Sequence, residues 1–259
     1  MSFRLFRRLR NIAIYGVGSD ALERKRAVKN AARQQVFESD LWEKDLKFAR
    51  RSYKDYDEYL DHQAAKLKQI EHRLYETYEE DLAEFRRRFK GCLPLAEARN
   101  VVCLGARLGT EVRALHSLGY FSVGVDLNPG EENNYVLHGD FHHLVFPDNS
   151  ADAVYCNALD HVLDLEKFLA EISRILRPGG LFVADLLEGF EEGFTPGKYE
   201  SMVWRRTREG FIEDISQQGF DMLEARDLGH HRRDHWAQIV FRSHSALGIS
   251  SSPLISSQV

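Results

Sequence analysis

Val101-Val102-Cys103-Leu104 is an uninterrupted apolar run that stops at Gly105-Ala106-Arg107-Leu108-Gly109, and a second run closes on Asp126 in Val123-Gly124-Val125-Asp126-Leu127-Asn128. This pair constrains the fold more than any other feature of the chain. Short apolar runs bounded by turn residues read as buried strands. A glycine turn leading from such a strand into a helix leaves backbone N–H groups facing an anionic ligand. Asp126 stands 21 residues after Gly105, the spacing at which an acid on the next strand accepts hydrogen bonds from a ribose. One half of a nucleotide-binding sheet is the first expectation.

The pattern continues along the chain. A helix is expected over Thr110–Leu118, with Val112, Leu115 and Leu118 on one face and Gly119 as its stop. Ser122–Leu127, Tyr135–Leu137 and Ala151–Cys156 read as strands. Leu165, Phe168, Leu169, Ile172, Ile175 and Leu176 then fall at helical spacing. Arg177-Pro178-Gly179-Gly180 closes that helix, and Leu181–Leu187 is strand-like. Glu209–Gln218 reads as a helix, Phe220–Leu228 as a strand and Trp236–Arg242 as an antiparallel return. The fold class that follows is α/β: a Rossmann-like, seven-stranded, mostly parallel sheet with helices on both faces, preceded by an N-terminal helical region.

Charge divides the chain. Residues 1–90 carry 21 Lys and Arg against 16 Asp and Glu, whereas residues 91–259 carry 14 against 24. Gly91-Cys92-Leu93-Pro94 punctuates that change. The expected organisation is a basic tail (1–19), a helical cap (20–92), the α/β domain (93–243) and a disordered, Ser-rich tail (244–259). Arg4, Arg7, Arg8 and Arg10 among apolar neighbours suit weak contact with an anionic membrane surface, and resemble a transit peptide in composition. From Asp20 to Lys90 there is neither Pro nor Gly, and an apolar stripe from Tyr56 to Phe89 predicts helix with a bend. Tyr53, Tyr56 and Tyr59, followed by His62-Gln63, serve either as a helix-packing face or as the mouth of a site. Cys92, Cys103 and Cys156 make no C-x-x-C pair, which fits a reducing, cytoplasmic setting. No apolar run approaches the roughly 18 residues of a membrane span.

Two ligands compete for the glycine turn. A nicotinamide dinucleotide wants G-x-G-x-x-G for close approach of its pyrophosphate, and this turn lacks that spacing. S-adenosylmethionine carries adenosine without phosphate. It needs a turn for its amino-acid end, an acid for the ribose and a polar contact for adenine; Gly139-Asp140-Phe141 supplies the third. Together with Phe146-Pro147-Asp148-Asn149-Ser150-Ala151-Asp152 and Ile172-Ser173-Arg174-Ile175-Leu176-Arg177-Pro178-Gly179-Gly180, these segments resemble a class I S-adenosylmethionine-dependent methyltransferase over residues 95–243, and specifically a poorly characterised branch with a Gly-Ala-Arg-Leu-Gly-Thr-Glu motif.

The resemblance implies S-adenosyl-L-methionine as cofactor. It places Gly105, Ala106, Arg107 and Gly109 around the methionine end, Asp126 and Leu127 at the ribose, Gly139, Asp140 and Phe141 at the adenine, and Asn157 on the same edge. Two departures stand out: Cys103 where the family has an acid, and Arg107 where it has a glycine. Arg107 either pairs with the ligand carboxylate or obstructs it. Asp160 and His161 follow the fourth strand and face the crevice, so His161 is the candidate base, with Asp160 fixing its tautomer. Asp160, His161 and Asp164 match no defined metal ligand set. The segment Gly229–His235 is a His/Arg cluster suited to a substrate phosphate or carboxylate, and Glu188–Thr207 reads as a covering loop. The expected partner is a small-molecule, sugar or glycan-precursor acceptor. The acidic α/β half and the lack of an Asn-Pro-Pro motif argue against nucleic acid. The alternative is an inactive S-adenosyl-ligand-binding or assembly protein.

Overall fold

A computed structural model describes residues 24, 27–28, 31–32, 34–44, 48–187, 196–204, 208–231 and 234–244. The expectations for the basic tail, for the last 15 residues, for most of the covering loop and for Arg232-Arg233 lie outside the described residues.

The elements run β1 (Trp42–Lys44), β2 (Phe48–Arg51), α1 (Tyr56–Ala64), α2 (Lys66–Glu76), α3 (Tyr78–Gly91), β3 (Asn100–Leu104), α4 (Thr110–Ser117), β4 (Phe121–Asp126), β5 (Val136–His138), β6 (Ala151–Cys156), α5 (Leu165–Ile175), β7 (Leu176–Leu187), β8 (Met202–Trp204), α6 (Arg208–Ser216), β9 (Phe220–His231) and β10 (Asp234–Ser243). Seven strands form one sheet in the order β5-β4-β3-β6-β7-β10-β9. β10 runs antiparallel between β7 and β9, while β3, β4, β5, β6 and β7 pair parallel. The expected α/β sheet is present.

Its residues alternate as the pleat requires. Val102, Leu104, Val154, Cys156, Phe182 and Ala184 join the core on the α5 and α6 side. Val101, Cys103, Ala153, Tyr155, Leu181 and Val183 join the core on the α3 and α4 side. α5 carries the apolar stripe read from sequence, with Phe168 and Ile172 fully buried and the Asp164 side chain capping its start by accepting from the Lys167 N–H. The Arg177–Gly180 segment is drawn into β7 across a register shift between Ala151 and Ala153 of the neighbouring strand, instead of standing outside the sheet as a turn.

The N-terminal region departs from expectation in two ways. The stripe from Tyr56 to Phe89 is three helices, broken at Ala65 and Thr77. And Trp42–Lys44 and Phe48–Arg51, expected as helix, are strands that build a second sheet, β1-β2-β8. Their partner Met202–Trp204 lies some 150 residues away in the chain, so helix propensity yields to a tertiary pairing. α1 begins on Asp55, whose side chain accepts from the Glu58 N–H, while Glu58 accepts from the Lys54 N–H.

Candidate functional site

In the sheet order β3 and β6 are neighbours, with β4 and β5 on one side and β7 on the other. That reversal opens a crevice beyond the carboxyl ends of the strands, where open α/β sheets bind ligands. Gly105 adopts φ +71° there, and a Cβ on it would lie 2.6 Å from the Ala158 Cβ. Only glycine lets the turn pass under the segment after β6. The turn is pinned to β4 by hydrogen bonds from the Gly105 and Ala106 N–H groups to the Val125 carbonyl (2.9 and 3.2 Å). Gly109, at φ +75°, packs against Val136 and Tyr135 and precedes α4.

Asp126 closes β4 with its carboxylate held in place: Oδ2 accepts from the Arg107 N–H (2.9 Å) and Oδ1 from the Asn128 N–H (2.8 Å). Burial pushes its carboxyl above the usual range, against the pull of those two N–H groups and of Arg107. Gly105, Arg107, Asp126, Leu127, Phe141, Ala158 and His161 share one recess with Gln63, Lys66 and Leu67 from the N-terminal helices. The recess encloses only about 40 Å³, because α1 and α2 lie over it. A cleft of about 690 Å³ continues past Arg107, Asn157, Asp160 and His161 to Trp42, Tyr199 and Trp236. A third opening, of about 510 Å³, runs from Gly105, Arg107 and Glu111 toward Arg88 and His231. Arg107, a non-glycine residue at φ +46°, lines all three.

Asp140 does not line that recess as expected for an adenine contact. Its oxygens accept from the Tyr56 hydroxyl (2.6 Å), the His142 N–H (2.9 Å), His142 Nδ1 (3.1 Å) and His143 Nδ1 (3.3 Å). That fills the roughly four accepting positions of a carboxylate. Burial acts to raise the carboxyl, but His142 and Tyr56 win and hold it well below its ordinary range. The His142 tautomer follows from the Asp164 N–H, which donates to Nε2 and leaves the Nδ1 proton for Asp140. Of the Gly139-Asp140-Phe141 segment, Phe141 reaches the recess.

His161 differs from expectation in its partners. Its Nδ1 donates to the Tyr199 carbonyl (2.8 Å), and its Nε2 accepts from the Lys66 Nζ. The backbone of Tyr199 therefore fixes the tautomer; Asp160 Oδ2 stands 3.5 Å from Nε2 instead. Burial and the cations Lys66 and Arg107 push the imidazole well below its ordinary value, so it stays neutral. With both nitrogens engaged, His161 is not a free base. Lys66 is the group sequence reasoning missed. Burial, then Arg107, push its ammonium down to about 7. In the sequence it sits inside an uninterrupted helical pattern and carries no signal of its own.

The three tyrosines turn toward this edge. Tyr56 binds Asp140 and His142, fully buried Tyr59 donates to the His161 carbonyl (3.2 Å), and Tyr53 bonds His62 Nδ1 (2.9 Å) and Ser201 Oγ (2.8 Å). In the C-terminal cluster, His231 bonds Asp81 (2.9 Å) and His235 bonds Asp227 (2.8 Å). His231 thus faces the third opening but is already paired.

Strand order, turn and acid together define a class I methyltransferase fold. Residues 102–184 match the family described as methyltransferase domain. The Burkholderia thailandensis 1,6-didemethyltoxoflavin-N1-methyltransferase, solved with 1,6-didemethyltoxoflavin and S-adenosylhomocysteine bound, superposes with a TM-score of 0.60 at 17% identity, covering 79% of this chain and 99% of that one. A Thermotoga maritima S-adenosylmethionine-dependent methyltransferase gives 0.55 at 17% identity, covering 71% and 99%. Among curated relatives, the Yarrowia lipolytica sterol 24-C-methyltransferase is 50% identical over 118 residues, 38% of this chain and 29% of that protein. The Parasynechococcus marenigrum dimethylglycine N-methyltransferase is 35% identical over 106 residues, covering 35% and 38%. The chain spans less than half the length of the curated relatives it matches. In its fold and in the match over residues 102–184 the chain is similar to class I S-adenosylmethionine-dependent methyltransferases. Among the described residues no helix is long and apolar enough to cross a membrane.

Proposed function

We propose that the chain is an S-adenosylmethionine-dependent methyltransferase acting on a small polar molecule. The observation that carries this reading is the convergence of the Gly105 turn, the fixed Asp126 carboxylate and Phe141 on one recess that continues into an acceptor-sized cleft. When bound, S-adenosylmethionine supplies a methyl group activated by its sulfonium. Asp126 is oriented to accept from the ribose hydroxyls, and Leu67, Leu127, Phe141 and Ala158 offer the adenine an apolar slot. At about 40 Å³ the recess must widen to admit adenosine, since ligand pockets usually measure about 300 Å³ or more. The elements that close it are α1 and α2, so these helices act as a lid.

The acceptor cleft favours a polar substrate. Lys66, Arg73, Arg107, Asp160 and Glu200 line it beside Trp42, Tyr199 and Trp236. Covering those charges with hydrocarbon would desolvate them without return, which argues against a sterol. A sugar, glycan precursor or amine offers the hydrogen bonds they need. Lys66, uncharged in a large part of the population near neutral pH, is the group placed to receive a proton from the acceptor, and His161 positions it.

Calorimetric titration of the protein with S-adenosylmethionine and S-adenosylhomocysteine tests the reading. Micromolar binding is expected, weakened by about 100-fold or more in Asp126→Ala, which loses a charge-assisted pair of hydrogen bonds. A polar-acceptor screen with mass-spectrometric detection of the methylated product follows. Folded wild-type protein that binds neither ligand would overturn the cofactor reading.

A further inference from the structure

Cys103 occupies the position where the superfamily carries an acid, and it is fully buried among Val101, Ala106 and Val112, so it meets no ligand. A second carboxyl group stands nearby, outside the recess. Glu111 is the second residue of α4, only 5% exposed, yet it lines the opening formed by Gly105, Ala106, Arg107 and Asn157. Its side-chain partner is its own backbone N–H; no other donor meets it among the described residues. A buried carboxyl that faces a cleft with no hydrogen-bond donor beyond its own backbone N–H costs free energy, and a ligand donor would offset that cost. Arg107 matches it in sign and place. Its hydrogen bonds among the described residues are made by its backbone, to Asp126 and from Asn133, and its guanidinium has no carboxylate partner there. The left-handed turn at Arg107 directs this residue to the junction of the three cavities.

We propose that Glu111 and Arg107 form a paired clamp for an α-amino-acid head group, Glu111 taking the ammonium and Arg107 the carboxylate of the methionine end of the cofactor. The inference rests on the cofactor reading above and assigns its amino-acid end to a new residue, eight positions further along the chain than the missing acid. It accounts for both departures of the motif together: an arginine replaces the glycine, and the acid moves from position 103 to position 111.

A proton is linked to this binding. Burial raises the Glu111 carboxyl to about 8, so near pH 7 the free protein holds it largely protonated. The titratable and charged groups around it are Arg107 in the turn, Asp126 on β4, the Cys103 thiol on β3, Asp81, Glu84 and Arg88 on α3, Arg73 on α2 and His231 on β9. An ammonium brought against Glu111 favours its ionised form, and the proton leaves to solvent.

The test compares S-adenosylhomocysteine with methylthioadenosine, which keeps the adenosine and lacks the amino-acid head. Both are titrated into wild type, Glu111→Gln and Arg107→Met by calorimetry, in buffers of different ionisation enthalpy. Each variant is expected to weaken S-adenosylhomocysteine by about 10- to 100-fold while changing methylthioadenosine by less than about threefold. Wild type should release most of a proton at pH 7 on taking up S-adenosylhomocysteine, and Glu111→Gln should not. Equal affinity of wild type and Glu111→Gln for S-adenosylhomocysteine overturns the clamp, as does a matching loss of both ligands, which would mark Glu111 as structural. Binding of neither ligand to folded wild type instead overturns the cofactor reading itself, and the clamp with it.

Discussion

The central sheet and the N-terminal helices meet across the same recess, but different forces hold them. The sheet is buried apolar surface on both faces, from Val102 and Leu104 to Phe168, Phe182 and Phe241. Helix α1 is tied down by separate polar bonds (Tyr56 to Asp140, Tyr59 to the His161 carbonyl, Gln63 to the Tyr199 carbonyl, and Asn128 to the Ala64 carbonyl), and α2 by Lys66 to His161. Area burial is cooperative and indifferent to pH, whereas single hydrogen bonds contribute roughly 1 kcal/mol each and can be exchanged for water. The lesson is that the frame of the recess is fixed by buried area, while the helices over it are held by bonds that water can replace. α3 is the exception, since it is anchored into the sheet by charge. Arg88 donates to Asp185 (3.0 Å), which also accepts from the Tyr155 hydroxyl (2.8 Å) and Gln238 Nε2 (2.7 Å), all buried.

That contrast can be broken at its strongest point first. Arg88→Met leaves the Asp185 carboxylate buried without its cation and should lower stability by about 3–5 kcal/mol in urea unfolding; Arg88→Met with Asp185→Leu should recover part of the loss. A loss of less than about 1 kcal/mol would mean α3 is held like α1 and α2. Lys66→Met comes next. The folded ammonium sits near 7 and the unfolded one at its ordinary 10.5, so between those values the unfolded chain binds more protons and stability rises with pH. The substitution should abolish that rise and leave stability at pH 7 unchanged or higher by up to about 2 kcal/mol, while methyl transfer falls. Unaltered pH dependence of the unfolding midpoint would count against a desolvated Lys66.

Smaller effects sharpen the lid. Tyr56→Phe removes one hydroxyl and should cost about 1 kcal/mol. Hydrogen exchange should speed up in α1 and α2 with little change in β3 or β6, and exchange everywhere alike would show that lid and sheet are one unit. The smallest effect is in acid. Burial acts to raise Glu84, but its bonds from Arg87 and Arg88 hold it at about 2, below its ordinary 4.5. That contribution is complete above about 4.5 and is lost as the pH falls toward 2, so the acid unfolding of Glu84→Gln should be shallower there.

Legibility followed the range of the interactions. The glycine turn, Asp126 and the α5 stripe were readable because each depends on neighbours in sequence: a backbone that needs positive φ, an acid at a strand end, a helical period. The partners of Asp140 were not readable, because Tyr56 reaches its carboxylate from 84 residues away. The strands β1 and β2 were hidden for the same reason, as their pairing partner is β8.

The sequence by itself determined the α/β class, the positions of the central-sheet strands and the pairing of the Gly105 turn with Asp126, since burial pattern and backbone conformation are local properties. Only the tertiary structure decided that Lys66 meets His161, that the Tyr199 carbonyl takes the histidine proton, and that Glu111 faces the cleft beside Arg107. Hydrogen-bond partners and shifted protonation depend on which distant side chains share a buried space, and that is set when the layers pack.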